Sequence, residues 1–288
     1  MAKLNILWDI PTDRGTWSGG DWVATLPLDN LITQDITEVA RTTSADPAAT
    51  RLTVALPRLL PVSAIAWVNH NAPSGSTYRL RAGIGPDPEE ATYDAPGLPF
   101  WEPTVVWGSL PWGAFPWDGI RPDDYPGTPI AYHRAPEAQF VDHLFVDVTL
   151  PGDASYFQAG RLLAGEAFVP NINHQYGGQV GIVDPSTVRR TTGGRRIVGK
   201  LPKYRRWQIT LAYQAEGEAF GVYWDLMYRL GKSGEMLILW DPDLPAATRA
   251  RLTLYCALSD TTDMTVQQAF GRDGRPMWSV TFDVEEMI

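Results

Sequence analysis

Residues 204–240 read YRRWQITLAYQAEGEAFGVYWDLMYRLGKSGEMLILW, and this stretch decides the fold. Its first part alternates. Trp207, Ile209, Leu211 and Tyr213 are apolar, while Arg206, Gln208, Thr210 and Ala212 fill the places between, the pattern of a strand with one face in a core. After Gln214 the period changes: Phe220, Tyr223, Trp224, Met227 and Leu230 fall at i, i+3, i+4, i+7 and i+10, which lines one face of an α-helix over about 216–230. Glu216 and Glu218 suit the positive N-terminal end of that helix, and Gly231 suits its C-terminal cap. The turn Lys232-Ser233-Gly234 leads into Met236-Leu237-Ile238-Leu239-Trp240, an apolar run too short for a free helix and read as a central strand buried on both faces.

Working outward, the composition supports the same mainly β pattern. The chain has 288 residues, enough for two domains with separate cores. Hydrophobic residues at 44% against charged residues at 20% exclude wholesale disorder. Twelve Trp, 24 Pro and 26 Gly favour short strands joined by turns over long helices. The net charge of −9 is uneven: ten Lys and Arg stand against twenty Asp and Glu up to Phe168, and fourteen against thirteen beyond it. An acidic first half disfavours a genome-binding role there. Cys256, the single cysteine, excludes an internal disulfide and sits in the alternating run Leu252, Leu254, Cys256, Leu258, where it reads as a small buried hydrophobe. No apolar segment approaches the ~20 residues that span a bilayer, and no basic-then-apolar leader opens the sequence, so an unexported protein is expected.

Before the quoted stretch, strands are expected from Lys3 to Ile10, Leu52 to Leu56, Ile65 to Val68, Tyr78 to Arg81, Leu144 to Val148 and Arg161 to Ala164, with Pro57 and Pro61 bracketing a turn. Val169-Pro170-Asn171-Ile172-Asn173-His174 reads as a linker. After it, Arg251 to Leu258 alternates, as does the end of the chain, where Trp278, Val280, Phe282 and Val284 face one way. The expected fold is mainly β: two β-sandwich domains, 1–168 and 169–288, the second with one packed helix.

Two segments stand apart. Residues 100–125 hold Trp101, Trp107, Trp112 and Trp117 among Pro103, Pro111, Pro116 and Pro122, with Leu110-Pro111-Trp112-Gly113 echoed by Phe115-Pro116-Trp117-Asp118. Proline stiffens such a loop, which either caps one end of a sandwich or presents its indoles to a protein or a sugar ring. From Arg189 to Arg206, eight of eighteen residues are Lys or Arg, with the pairs Arg189-Arg190, Arg195-Arg196 and Arg205-Arg206 around the turn-forming Gly193-Gly194. Nucleic acid is the sharp reading of that charge. The near-neutral second half, and the lack of aromatic residues between Arg189 and Lys203, favour instead a solvated hairpin or one that meets the acidic surface of a neighbouring subunit.

Chemistry finds little support. His70, His133, His143 and His174 are scattered, none at i, i+4, so no local zinc spacing exists, and neither a nucleophile motif nor a phosphate loop is present. Asp118, Asp123 and Asp124 beside the Trp-rich loop would be the dyad candidates of a polysaccharide-degrading enzyme, and they read first as solvated loop acids. Asp9 with Asp13, and Asp241 with Asp243, match no complete calcium loop. No enzyme activity, metal or cofactor is expected.

The cassette of a strand headed by paired arginines, a helix of about four turns, a Gly-Lys-x-Gly turn and a strand closing on Trp240-Asp241-Pro242 resembles the ring-forming domain of distal tail and minor tail-tip proteins of long-tailed bacteriophages, over roughly Val180 to Ile288. The first half resembles a discoidin-type, galactose-binding-like jelly roll in its Leu26-Pro27-Leu28-Asp29-Asn30-Leu31, its strand ending Ala55-Leu56-Pro57, its strand Ala64 to Asn69 and its Gly160-Arg161-Leu162. The resemblance implies a structural virion protein at the tail tip, made in the host cytoplasm. It implies a partner set of its own copies, in a ring taken as a hexamer, with tail tube, tape measure, hub and fibre proteins beside them. It also implies that the six arginines Arg189, Arg190, Arg195, Arg196, Arg205 and Arg206 bridge subunits. Alternatives of other classes are a module that binds host surface glycan through the Trp-rich loop, and the polysaccharide-degrading enzyme. No nucleic-acid partner and no membrane span are expected.

Overall fold

The computed structural model describes residues 3–105, 108–109, 111, 119–120, 127–260, 263–270 (the side chains of 268–270 excepted) and 274–288. It is mainly β, with several antiparallel sheets and one helix of 15 residues. Its strands are β1 (Asn5–Leu7), β2 (Thr16–Ser18), β3 (Ala40–Arg41), β4 (Leu52–Val68), β5 (Thr77–Gly83), β6 (Tyr93–Pro99), β7 (Ile130–Thr149), β8 (Gln158–Ala159), β9 (Arg161–Gly165), β10 (Gln179–Val183), β11 (Thr187–Arg190), β12 (Arg196–Gly199), β13 (Tyr204–Gln214), β14 (Glu235–Leu239), β15 (Thr253–Leu258), β16 (Met264–Phe270) and β17 (Pro276–Glu286). The long helix covers residues 216–230, and a short helix, absent from the sequence reading, spans Ala246–Arg251.

Two sheets carry the molecule. The first-lobe sheet has the order β2-β4-β7-β5-β6, with β9 also paired to β4; the second-lobe sheet has the order β1-β14-β15-β17-β13-β10, with β16 also paired to β17. The opening strand of the chain therefore lies in the sheet of the second half, where Ile6 faces Ile238.

Side-chain alternation in β14 shows how the layers stack. Met236 and Ile238 enter a core with Trp207, Tyr223 and Leu226 beneath the long helix. Leu237 and Leu239 enter the opposite core, with Ala64, Ala66, Val68 and Leu163 of the first-lobe sheet. Strand β4 repeats the device, since its Ile65 and Trp67 turn away into a third core with Leu31, Tyr78 and Phe157. The order is helix, second-lobe sheet, first-lobe sheet, then the cap that carries Leu31 and Phe157. A strand buried on both faces is apolar at almost every place, which is why Met236 to Leu239 of β14 show no alternation in sequence.

Where the middle core ends, a polar clasp joins the lobes. Arg161 of β9 is fully buried; its guanidinium donates to both carboxylate oxygens of Glu235 on β14, to Asp13 Oδ2 at 2.6 Å and to the Leu31 carbonyl at 2.8 Å. The Tyr255 hydroxyl also donates to Glu235. Burial raises the Asp13 carboxyl above its ordinary range although Arg161 pulls it down.

Four local expectations are corrected. Tyr213 leaves the core: three steps of β13 from Leu211 to Gln214 face two of β17 from Val280 to Trp278, and Tyr213 takes a left-handed φ of 61° at this bulge, 45% exposed. In the helix, Ala219–Trp224 forms a π-turn, whose extra residue rotates the buried face to Ala219, Tyr223 and Leu226. Phe220 and Trp224 accordingly face out, Trp224 at 52% exposure. Pro57 and Pro61 bracket no turn, because β4 runs through them; the register slips between Ala55 and Leu60, and Pro57 lies where no ladder hydrogen bond is required of it. Finally, Arg251 belongs to the short helix, so the alternating strand starts at Thr253.

Candidate functional site

The paired arginines separate into two populations. Strands β11 and β12 pair through Val188 with Val198 and Arg190 with Arg196, and every residue from 187 to 203 is exposed. Thr191 and Arg195 close the turn: Thr191 N donates to Arg195 O at 2.9 Å, Arg195 N donates to Thr191 Oγ1 at 3.1 Å, and Gly194 supplies a φ of 82°. Alternation puts Val188, Val198, Arg190 and Arg196 on one face, an aliphatic pair beside an arginine pair. Opposed like charges weaken a hairpin by ~0.2–1 kcal/mol, and a two-stranded hairpin alone is marginal in water. The arm thus carries exposed apolar side chains and self-repelling cations with no core beneath them.

Arg205 and Arg206 are placed differently, because successive residues of β13 point to opposite faces. Arg205 turns inward, where its Nη2 meets Glu286 Oε1 at 2.5 Å and its Nη1 donates to the carbonyls of Ala250, Arg251 and Thr253. It ties the short helix to β17, so it leaves the set of candidate subunit contacts. Arg206 points out, within 3.9 Å of Asp283 and of Glu285.

Next to the arm, β10 ends the second-lobe sheet. It pairs with β13 on one side, and among the described residues no strand pairs with the other. Val180 and Ile182 on it are exposed, the latter at 75%. An open apolar edge of this kind is a template for another chain.

Of the four indoles, Trp101 is anchored to the first lobe. Its Nε1 donates to Ala72 O at 2.6 Å, its ring meets that of His70 edge-on at 5.0 Å, and it packs on the first-lobe core. Trp107, Trp112 and Trp117, with Asp118, Asp123 and Asp124, lie outside the described residues.

Among the described residues no three His, Cys, Asp or Glu side chains converge as a metal site would require. Asp9 pairs with Arg14 and Asp13 with Arg161, so these two acids are held apart by separate cations. His70 is fully buried, neither ring nitrogen has a hydrogen-bond partner, and burial lowers its pKa from 6.5 to about 3; it is a neutral core group. Cys256 is buried, and burial raises its thiol far above the usual range. No helix among the described residues is long and apolar enough to cross a membrane.

Sequence reading missed two exposed features. An aromatic stripe of Phe220, Trp224 and Tyr228 runs along the outer face of the helix and meets Trp278 at 4.8 Å from Phe220; the helical period of these residues had placed the first two inside. A groove where the lobes meet was invisible, since its walls come from four distant segments. Compared with known proteins, the chain matches no protein-family model, and no curated protein matches it either.

Proposed function

We propose that this chain is a structural subunit of the tail tip of a phage or prophage, which assembles with its own copies into a ring at the end of the tail tube. The observation that carries the proposal is the β11–β12 arm, a folded element whose cations and aliphatic side chains are exposed along its whole length. Together with the open β10 edge, it gives one face of the second lobe the chemistry of an interface. The second lobe forms the ring, Arg189, Arg190, Arg195 and Arg196 bridge neighbouring copies, and the acidic first lobe projects outward. Tail tube, tape measure, hub and fibre proteins are its further partners in the virion. Its work is positional, and it requires neither catalysis nor a cofactor.

Electron microscopy of the purified protein, with its mass in solution, tests this. The expected result is a closed ring that loosens as salt rises, because Arg contacts on an exposed interface are screened. A monomer at every concentration, or tight binding of the isolated protein to duplex DNA at physiological salt, contradicts it.

A further inference from the structure

The groove between the lobes has walls of four origins. Trp8 follows β1, Leu60 comes from the bulge of β4, Phe168 follows β9, and Val222 lies on the π-turn of the long helix. Its volume is about 430 Å3. Two carboxylates, Asp9 and Glu166, stand at its rim, and both residues are exposed. Asp9 meets Arg14 through Oδ1 at 2.7 Å, and among the described residues Glu166 has no ion pair. The walls are fixed by the backbone. Ile6 and Phe168 exchange hydrogen bonds of 2.9 and 2.8 Å, which sets Phe168 beside the chain leading to Trp8. Gly165 lets the two segments cross, since a Cβ there would lie 2.4 Å from Asp9 O. The groove is therefore built and held open by the fold.

Its chemistry is the complement of one face of the arm. An apolar floor faces an aliphatic pair, Val188 and Val198, and two rim carboxylates face two guanidiniums, Arg190 and Arg196. On the arm these pairs are two residues apart, about 7 Å along the strand, a span that keeps cations at a rim while the valines reach inward. The arm of the same copy is exposed along its whole length and does not fill the groove. We infer that the groove receives the β11–β12 arm of a second copy of this chain. The contact is head to tail, arm into groove, so it propagates until a ring closes. This inference rests on the self-assembly proposed above and names the surface that the arm meets.

The test uses the full chain in four forms, each measured by light scattering across a dilution series, with melting temperature as the check on folding. They are the unaltered chain, Arg190→Glu with Arg196→Glu, Glu166→Arg alone, and all three changes in one chain. Every altered side chain is exposed, so each form should melt as the parent does. The parent should assemble, each partial variant should associate at least about tenfold more weakly, and the chain with all three changes should recover much of the loss. Assembly of Glu166→Arg at parental strength would overturn the groove while leaving self-assembly intact. So would a triple variant no better than the arm variant. A parent that stays monomeric would overturn both.

Discussion

Strands β14 and β15 and strands β11 and β12 are neighbouring antiparallel pairs in one half of the chain, yet their surroundings are opposite. In the first pair Leu237 faces Tyr255 and both side chains are fully buried between the two sheets. In the second, Val188 faces Val198 with about half of each side chain in water. Burying a side chain of this kind is worth ~1.5–3 kcal/mol, so the first pair is a main source of stability and the half-exposed second pair contributes less. On the function proposed above, such a hairpin gains its support on contact with a neighbouring copy.

Substitutions should expose that contrast, from the core outward. Removing Arg161 leaves Glu235 buried and Asp13 part-buried without their cation, so Arg161→Met should cost ~3–5 kcal/mol, while denaturant unfolding of the unaltered chain should be one transition because the clasp and the middle core join both lobes. Two separated transitions in the unaltered chain would break the picture of lobes sharing a core.

Acid should act next. The folded-state pKa of His70 lies at about 3, below the ordinary 6.5, so the unfolded chain takes up a proton that the native core refuses. Its contribution to stability is fully present above pH 6.5 and is lost as pH falls toward 3, with a slope of about 1.4 kcal/mol per pH unit. His70→Leu should flatten that part of the stability profile. An unchanged slope would show that other groups govern the acid response.

A smaller effect is expected on the outer face of the helix. Trp224 is half exposed, so Trp224→Ala should lower stability by under ~1 kcal/mol, against ~3–5 for Trp207→Ala at a fully buried place on β13. Comparable losses at the two sites would return the indole of Trp224 to the core. Least of all should change when Arg195 and Arg196 are both reversed to Glu: thermal unfolding of the isolated chain should shift by no more than the scatter of surface substitutions, within about 0.5 kcal/mol, while association falls. A large loss of stability would mean that the arm is part of the fold.

How these elements read in sequence follows from their physics. Alternation disclosed β13 from Trp207 to Leu211, and the inward run of β17 from Val280 to Val284, because one face meets a core and the other water. An unbroken apolar run disclosed β14, buried on both sides. One inserted residue defeats such reasoning: the bulge at Tyr213 and the π-turn at Ala219–Trp224 each shift the phase, and no residue type marks either. The pairing of β1 with β14 joins residues more than two hundred places apart, and β1 reads as a strand without revealing its partner. Arg161 lies in an otherwise apolar strand, where a charge suggests an edge; only the folded chain brings Glu235 and Asp13 to it. Of the candidate contact residues, the exposed pairs on the arm were legible from charge and glycine, whereas the inward turn of Arg205 depends on the phase of β13.

Hydrogen exchange at the backbone amides of the arm tests the central claim most directly. Measured at a dilution where the protein is monomeric, amides from Thr187 to Gly199 should exchange at close to free-chain rates while those of β14 stay protected. At concentrations where the protein assembles, the arm amides should become protected by orders of magnitude, with β14 unchanged. Protection of the arm in the monomer, or its continued rapid exchange in the assembly, would contradict the claim that this hairpin is folded by one copy to be covered by another.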